Sequence, residues 1–473
     1  MERVPTGIPG LDALIEGGVP KGSLVLIAGA PGTGKTSMCC RFLEAGASVF
    51  NDKGLYVSLL ESKESLLTFL SHQFGPRFSD LEKRGMFRVL AFPSMRGEGV
   101  PAMMDSIMTA IKDGGVKRLV IDSVTALSQS FTNEYEARIF THTVLTKLIP
   151  SYGCTTVVTK EIPSGEATIG GSPEDFVADG VFILRRLVHQ GRTLREVEIA
   201  KLRGTRVDSP SHPFTLEGGF AIFPTFSHEA LRQMGRLERI PDSESHFSTG
   251  STSLDRILGG GYPRGTLALL EVGEAIPLSV FGVISYPIVA NFLNNGSPLV
   301  GIQSLGADPE RTYTRWKAVA GENAANGRSV EKLKIGVEQE VPYLAVLKSE
   351  KPEENIREYL EIGAKLRQKT RKPVVWWVAL DHFIDIFGLE HAEKALNELS
   401  VNAIRHRELV VILAKPGSKR ILRTVSNIAA THLCLFSRNG SVLMCGVKPR
   451  TPLYAVTVDA KRGLSSTEFT SIM

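Results

Sequence analysis

The chain of 473 residues has no C-x-x-C pair, no run of about 18 apolar residues and no concentrated block of basic charge. Each absence removes a class of protein. The five cysteines, Cys39, Cys40, Cys154, Cys434 and Cys445, are odd in number and scattered, so their spacing indicates neither a disulfide framework nor a zinc site. Without a long apolar run there is no candidate bilayer-spanning helix. The opening MERVPTGIPG lacks the basic start and apolar stretch of a secretory signal. A cytoplasmic protein with reduced thiols and no membrane attachment is expected. The net charge of +5 is mild for this length and favours no partner.

What is present is an ordinary globular composition, 42% apolar and 22% charged, on a chain longer than one hydrophobic core usually supports. The chain is also written twice. Thr6, Gly7, Leu11, Asp12, Gly17, Gly18, Pro20 and Gly22 recur as Thr249, Gly250, Leu254, Asp255, Gly260, Gly261, Pro263 and Gly265, at one offset of 243 (Gly7 to Gly250). So many punctuating residues in register indicate a tandem duplication of a whole domain, with expected boundaries 1–240 and 241–473. Within each copy, short apolar runs without polar alternation, such as SLVLIAGA and RLVIDS, alternate with helical patterns such as SMCCRFLEAGASVF. That pattern predicts α/β domains with parallel sheets buried on both faces. The polar stretch RQMGRLERIPDSESHF between the copies is expected to be a linker.

After the strand SLVLIA comes GAPGTGKT, in which Gly29, Gly34, Lys35 and Thr36 fit G-x-x-x-x-G-K-[ST] directly before a helical pattern. Gly29, Ala30, Pro31, Gly32, Thr33, Gly34, Lys35, Thr36 and Ser37 are therefore the candidate phosphate-binding residues. In such a loop backbone N–H groups turn towards phosphate oxygens, Lys35 meets the β and γ phosphates, and Thr36 offers its hydroxyl to Mg²⁺. Downstream, KRLVIDSVTAL is an apolar strand ending in Asp122, from which a carboxylate can reach the same metal through water.

The opening T-G-I-P-G-L-D, the glycine-rich loop, Asp122-Ser123, EDFVADGVFIL (174–184) and KLRGT (201–205), in this order, resemble a KaiC-like domain of the RecA superfamily of ATPases. The resemblance covers nearly all of the first copy and, more weakly, the second. It implies two tandem RecA-like P-loop NTPase domains, each a mostly parallel central sheet flanked by helices. It further implies ATP with Mg²⁺ and a homo-oligomeric ring, a hexamer, with ATP between subunits. Lys201 and Arg203 would then enter a neighbour's site and stabilise γ-phosphate charge, the arginine-finger role. One departure matters: where the family carries two adjacent glutamates after its second strand, this chain has Leu60 and Glu61. Leucine can neither accept a proton nor orient water. Slow hydrolysis is expected, with Glu61 either taking over water positioning or acting only in binding.

The second copy has lost the loop chemistry. At the offset of 243, Val272, Pro277, Leu278 and Ser279 stand where Gly29, Gly34, Lys35 and Thr36 are, and Glu271 and Glu274 add negative charge. Nucleotide is expected only in the first copy. Asp381, read as the counterpart of Asp122, and Lys448 and Arg450 of VKPRT are expected to be remnants or surface ion pairs. The second copy is then architectural or regulatory and offers a surface to a protein partner. Nucleic acid is not favoured: residues 161–184 hold no Lys or Arg but do hold Glu161, Glu166, Glu174, Asp175 and Asp179. A basic cluster of Lys415, Lys419, Arg420 and Arg423 in the second copy keeps an anionic partner open. The expected function is a regulatory, slowly turning ATPase. The alternatives are a recombinase-related, DNA-handling ATPase and an ATP sensor without turnover.

Overall fold

Apolar runs that carry no polar alternation can be stable only where both faces of a strand are covered, and this is where the chain places them. The structure is a computed structural model and describes residues 2–93, 99–129, 131, 141–163, 176–226, 237–332, 341–415, 419–461 and 464–473. It forms two units, one of Met1–Thr225 with Ser471–Met473 and one of Phe226–Thr470. Both are α/β, each with a large and mostly parallel sheet flanked by helices.

In the first unit β1 (Arg3–Val4) pairs with β2 (Val19–Pro20) in a small hairpin. The main strands follow as β3 (Leu24–Gly29), β4 (Gly54–Ser58), β5 (Phe87–Ala91), β6 (Arg118–Asp122) and β7 (Thr155–Glu161). Then come β8 (Gly180–His189), β9 (Arg192–Leu202), β10 (Ser211–Thr215) and β11 (Ala221–Ile222). Their spatial order is β11-β10-β9-β8-β3-β7-β6-β4-β5. The six strands from β8 to β5 are parallel, while β9, β10 and β11 return antiparallel. Every residue of β3 and β4 is buried. One face is covered by the helices Lys35–Val49, Lys63–Phe74 and Arg77–Lys83 through Met38, Phe42, Leu70 and Phe78. The other is covered by the helix Val100–Gly114 and neighbouring segments through Met103, Ile107, Val124 and Ile149.

The second unit repeats this plan with a hairpin of β12 (His246–Phe247) and β13 (Tyr262–Pro263). Its sheet uses β14 (Thr266–Val272), β15 (Leu299–Ile302), β16 (Gly327–Lys332), β17 (Leu344–Leu347), β18 (Val375–Ala379) and β19 (Leu409–Ala414). It is completed by β20 (Thr431–Arg438), β21 (Ser441–Lys448), β22 (Leu453–Lys461) and β23 (Leu464–Ser471). The order β17-β16-β15-β18-β19-β14-β20-β21-β22-β23 matches the first sheet with one strand added at the β17 edge.

The residues that repeat at the offset of 243 have a shared physical role. Asp12 accepts from the backbone N–H of Thr6 at 2.8 Å and from its hydroxyl at 2.6 Å; Asp255 does the same for Thr249, at 2.7 Å each. Gly18 and Gly261 both have positive φ, and a Cβ on either would fall 2.2 Å from a carbonyl oxygen, that of Val4 and of Phe247 respectively. Only glycine fits there.

Beneath the first sheet, Arg118 opens β6 fully buried. Its guanidinium donates to Asp52 at 3.0 Å and to the Phe42 carbonyl at 3.0 Å, and it lies over the Phe42 and Phe50 rings. Removing the acid alone leaves a buried cation without its counter-charge. Asp52→Ala is expected to destabilise the fold by about 3 kcal/mol, read as an earlier urea midpoint. Arg118→Met, which removes the charge and keeps the bulk, is expected to cost clearly less. Equal midpoints for wild type and Asp52→Ala would contradict this account.

Candidate functional site

β3 ends at Gly29, and the chain turns through Ala30, Pro31, Gly32, Thr33 and Gly34 into the helix Lys35–Val49. The backbone crowds itself here: a Cβ on Gly29 would lie 2.7 Å from the Leu184 carbonyl oxygen, and Gly34 has φ of 109°. No side chain caps the helix, so its first-turn N–H groups and the positive end of its dipole are left to the loop. Lys35 is buried, and its ammonium donates to the loop's own carbonyls, Gly29 at 2.9 Å and Ala30 at 3.2 Å. Burial pushes its pKa down, against the opposing pull of the Glu161 and Asp122 carboxylates. A cation held on neutral carbonyls in a partly dry cradle would find a stronger partner in a polyphosphate.

Asp122, at the end of β6, collects hydroxyls from three elements. Thr36 donates to its Oδ2 at 2.9 Å, Tyr56 of β4 donates to the same oxygen, and Thr159 of β7 donates to Oδ1. Burial first, and then the Asp122 charge, push the Tyr56 hydroxyl pKa well up, so it stays a donor. A hydroxyl and a carboxylate 2.9 Å apart beside a phosphate-type loop form an oxygen donor set suited to a hard divalent cation such as Mg²⁺. Ser37 faces elsewhere and donates to Gln73 on the helix Lys63–Phe74.

Leu60 and Glu61 follow β4, at the same end of the sheet as Gly29 and Asp122. Leu60 is 58% exposed and sets an apolar side chain directly before Glu61. Glu61 is exposed, exchanges backbone and hydroxyl hydrogen bonds with Ser58, and accepts from Ser65 at 3.3 Å.

Lys201 and Arg203 lie at the opposite end. Leu202 pairs with Gly180, which pairs with Val25 at the start of β3, whereas Gly29 pairs with Leu184. Four residue steps separate the two ends, about 13 Å along the strand. Lys201 donates to the Phe176 carbonyl at 3.1 Å, and Arg203 pairs with Asp179 at 3.1 Å. The cation that does reach the loop is Arg195, also on β9, which donates to the carbonyls of Gly32 at 3.1 Å and Thr33 at 3.3 Å. Burial lowers its pKa, as does Arg186 directly opposite on β8. Sequence reasoning missed Arg195, Tyr56 and Thr159. The alternation of β9 could have flagged an arginine among strand residues, but not its partner.

In the second unit, residue 272 ends β14 and a helix begins at Leu278, with Pro277 before it. Asp381 needs a correction. Walking across the first sheet, Leu26 leads through Val158 to Ile121, with Asp122 next; the same walk from Leu269 leads through Ile412 to Val378, with Ala379 next. Ala379, not Asp381, occupies the Asp122 position, because Asp381 belongs to the first turn of the following helix Leu380–Phe387. Its carboxylate accepts from Lys415 at 3.3 Å. Lys448 donates to the carbonyls of Ser426 at 2.6 Å and Asn427 at 3.1 Å, near the end of the helix Lys419–Ile428. It acts as a helix C-cap and forms no surface ion pair with these carbonyls. Half of the acidic segment 161–184, including Glu166, Glu174 and Asp175, lies outside the described residues, as do the side chains of Lys419 and Arg420.

These features define a P-loop α/β domain followed by a second domain of the same plan with an altered loop. The family described as "ATPase: KaiC" matches residues 4–225. The chain is 33% identical over 239 residues to the UPF0273 protein MJ1359 of Methanocaldococcus jannaschii, covering 47% of this chain and 97% of that protein. It is 32% identical over 280 residues to the circadian clock oscillator protein KaiC of Thermostichus vulcanus, covering 57% of this chain and 52% of that protein. Among solved structures, the KaiC-like protein PH0186 of Pyrococcus horikoshii matches with a TM-score of 0.43 and 33% identity, over 47% of this chain and 99% of that one. The chain belongs to the KaiC-like ATPase family of the RecA superfamily. It spans about half the length of the KaiC clock proteins it matches. Among the described residues, no helix is long and apolar enough to cross a membrane.

If Arg195 fixes the loop, Arg195→Ala should weaken a non-hydrolysable ATP analogue about five- to tenfold in calorimetric titration, as expected for losing charged hydrogen bonds of about 1 kcal/mol. Unchanged affinity would remove Arg195 from the site.

Proposed function

We propose that this protein is a cytoplasmic, slowly hydrolysing regulatory ATPase that binds ATP with Mg²⁺ in its first unit alone and works as a homo-oligomeric ring, with a hexamer as the family precedent. The observation that carries the proposal is the convergence of Lys35, Thr36 and Asp122 at the ends of β3 and β6. In this reading Lys35 leaves the Gly29 and Ala30 carbonyls for the β and γ phosphates, and the N–H groups of residues 32–37 hold the chain of phosphates. Thr36 and Asp122 would hold Mg²⁺, with Asp122 oriented by Tyr56 and Thr159. An ion held there would neutralise phosphate charge.

The trans role of Lys201 and Arg203 is supported by their distance from their own loop. About 13 Å of strand keeps them from their own loop, so any action on γ-phosphate charge falls on a neighbouring subunit's ATP. Restriction to the first unit is supported by the replacements in the second: Leu278 for the lysine, Pro277 for a glycine, Ala379 for Asp122, and a Lys415 already paired with Asp381. The second unit then serves as scaffold and as the surface that reports nucleotide state to a protein partner. The exposed Leu60 favours one second reading, a sensor that holds ATP without turnover. Glu61 directly follows Leu60, and its hydrogen bonds run to Ser58 and Ser65.

Two measurements of phosphate release test this. Leu60→Glu is expected to raise steady-state turnover about a hundredfold, the lower end of general-base effects; no increase would leave Leu60 irrelevant to rate. Lys35→Ala and Arg203→Ala should each lack turnover, and mixing the two should restore part of it through mixed interfaces. No recovery on mixing would contradict the trans role.

A further inference from the structure

Glu271 and, 161 residues further on, His432 with nearby Cys434 meet at the end of β14 in the second unit. Glu271 lies on β14, and His432 and Cys434 lie on the adjacent parallel strand β20, with Glu271 directly opposite Cys434. His432 and Cys434 are two apart, so both face the same side of the sheet. His432 Nε2 is 3.0 Å from Glu271 Oε2, Cys434 Sγ is 3.5 Å from that oxygen, and Cys434 Sγ is 3.6 Å from His432 Nε2. We propose that Glu271, His432 and Cys434 form a zinc site with one coordination position left to solvent.

The geometry suits the ion. For Zn–N and Zn–O bonds of about 2.0–2.1 Å and a Zn–S bond of about 2.3 Å, a tetrahedron has edges of about 3.4 Å between N and O and about 3.6 Å from S to either. The triangle found differs from these edges by at most a few tenths of an ångström. One thiolate, one imidazole and one carboxylate are a donor set that suits zinc better than Mg²⁺ or Ca²⁺. The histidine is also oriented as a ligand. Its other ring nitrogen, Nδ1, is 3.0 Å from the Ser426 hydroxyl, which turns Nε2 towards the cluster. Lys448 in turn holds the Ser426 carbonyl. The side chain of Glu271 is 39% exposed, which gives an ion an entry path.

Comparison of the two units strengthens the case. Glu271 pairs with Cys434 as Ala28 pairs with Ile183 in the first unit, so His432 falls where Val181 is. Three apolar positions of the first unit have become three ligand-type residues in the second. A bound ion would tie β14 to β20 beside the altered loop. Such an ion would stabilise the second unit in place of a nucleotide. The inference stands whether or not the first unit turns over ATP.

The test uses the full chain incubated with zinc and freed of excess by gel filtration, with metal measured by mass spectrometry. About one tightly held zinc per chain is expected. His432→Ala and Glu271→Gln should each retain at least about tenfold less, while Cys154→Ser, in the first unit, should retain it. Cobalt substituted for zinc should show a thiolate-to-metal absorption band in the near ultraviolet that Cys434→Ser lacks. A wild-type chain that holds no zinc, or that binds cobalt without the thiolate band, overturns the proposal even if a variant fails to fold. Equal zinc in wild type and Glu271→Gln, with both folded by circular dichroism, overturns it as well.

Discussion

The carboxylate of Asp122 is the point on which the first unit's candidate site depends. It accepts hydroxyls from the helix after the loop, from β4 and from β7, so three elements share one charge. Because the strands are parallel, their C-terminal ends lie together, and one carboxylate there can set the position of both Thr36 and β4, the strand that leads to Leu60 and Glu61. Lys35 and Arg195 then complete the loop from its two sides, one on the carbonyls of Gly29 and Ala30 and the other on those of Gly32 and Thr33.

The second unit shows what remains when this point is lost. The sheet order, the hairpin, and the aspartate that ties the threonine six residues before it are kept, because they serve the core and the turn. The polar end of the sheet has changed. Ala379 stands in place of the carboxylate, Asp381 lies in the following helix and pairs with Lys415, and Glu271, His432 and Cys434 form a separate polar cluster on β14 and β20. A fold can therefore be duplicated intact while its chemistry is rewritten at a few strand ends.

Much of this was legible in the sequence, and the reason differs by element. The parallel sheets could be read from uninterrupted apolar runs, and the duplication from glycines, prolines and aspartates whose roles are local to a turn. Lys35, Thr36 and the Gly29–Gly34 loop were legible because a short contiguous motif encodes the whole cradle. Arg195, Tyr56 and Thr159 were not, since each reaches the site across strands: Tyr56 is separated from Asp122 by 66 residues and Arg195 from Gly32 by 163. Asp381 was misplaced because a strand ending in aspartate looks the same in sequence whether the acid closes the strand or opens the next helix. Only the pairing through Ile412 and Val378 separates these cases. Cysteine spacing likewise pointed away from zinc, because the ligands of the proposed site lie 161 residues apart in Glu271 and His432.

The central claim is that nucleotide binds in the first unit and not in the second. Equilibrium dialysis of the full chain with radiolabelled ATP and Mg²⁺ tests it most directly, with Lys35→Ala measured beside the wild type. The account predicts about one nucleotide per chain at saturation, with binding weakened at least about a hundredfold in the variant, as loss of a buried charged contact to phosphate implies. Two nucleotides per chain, or one that persists undiminished in Lys35→Ala, would contradict it.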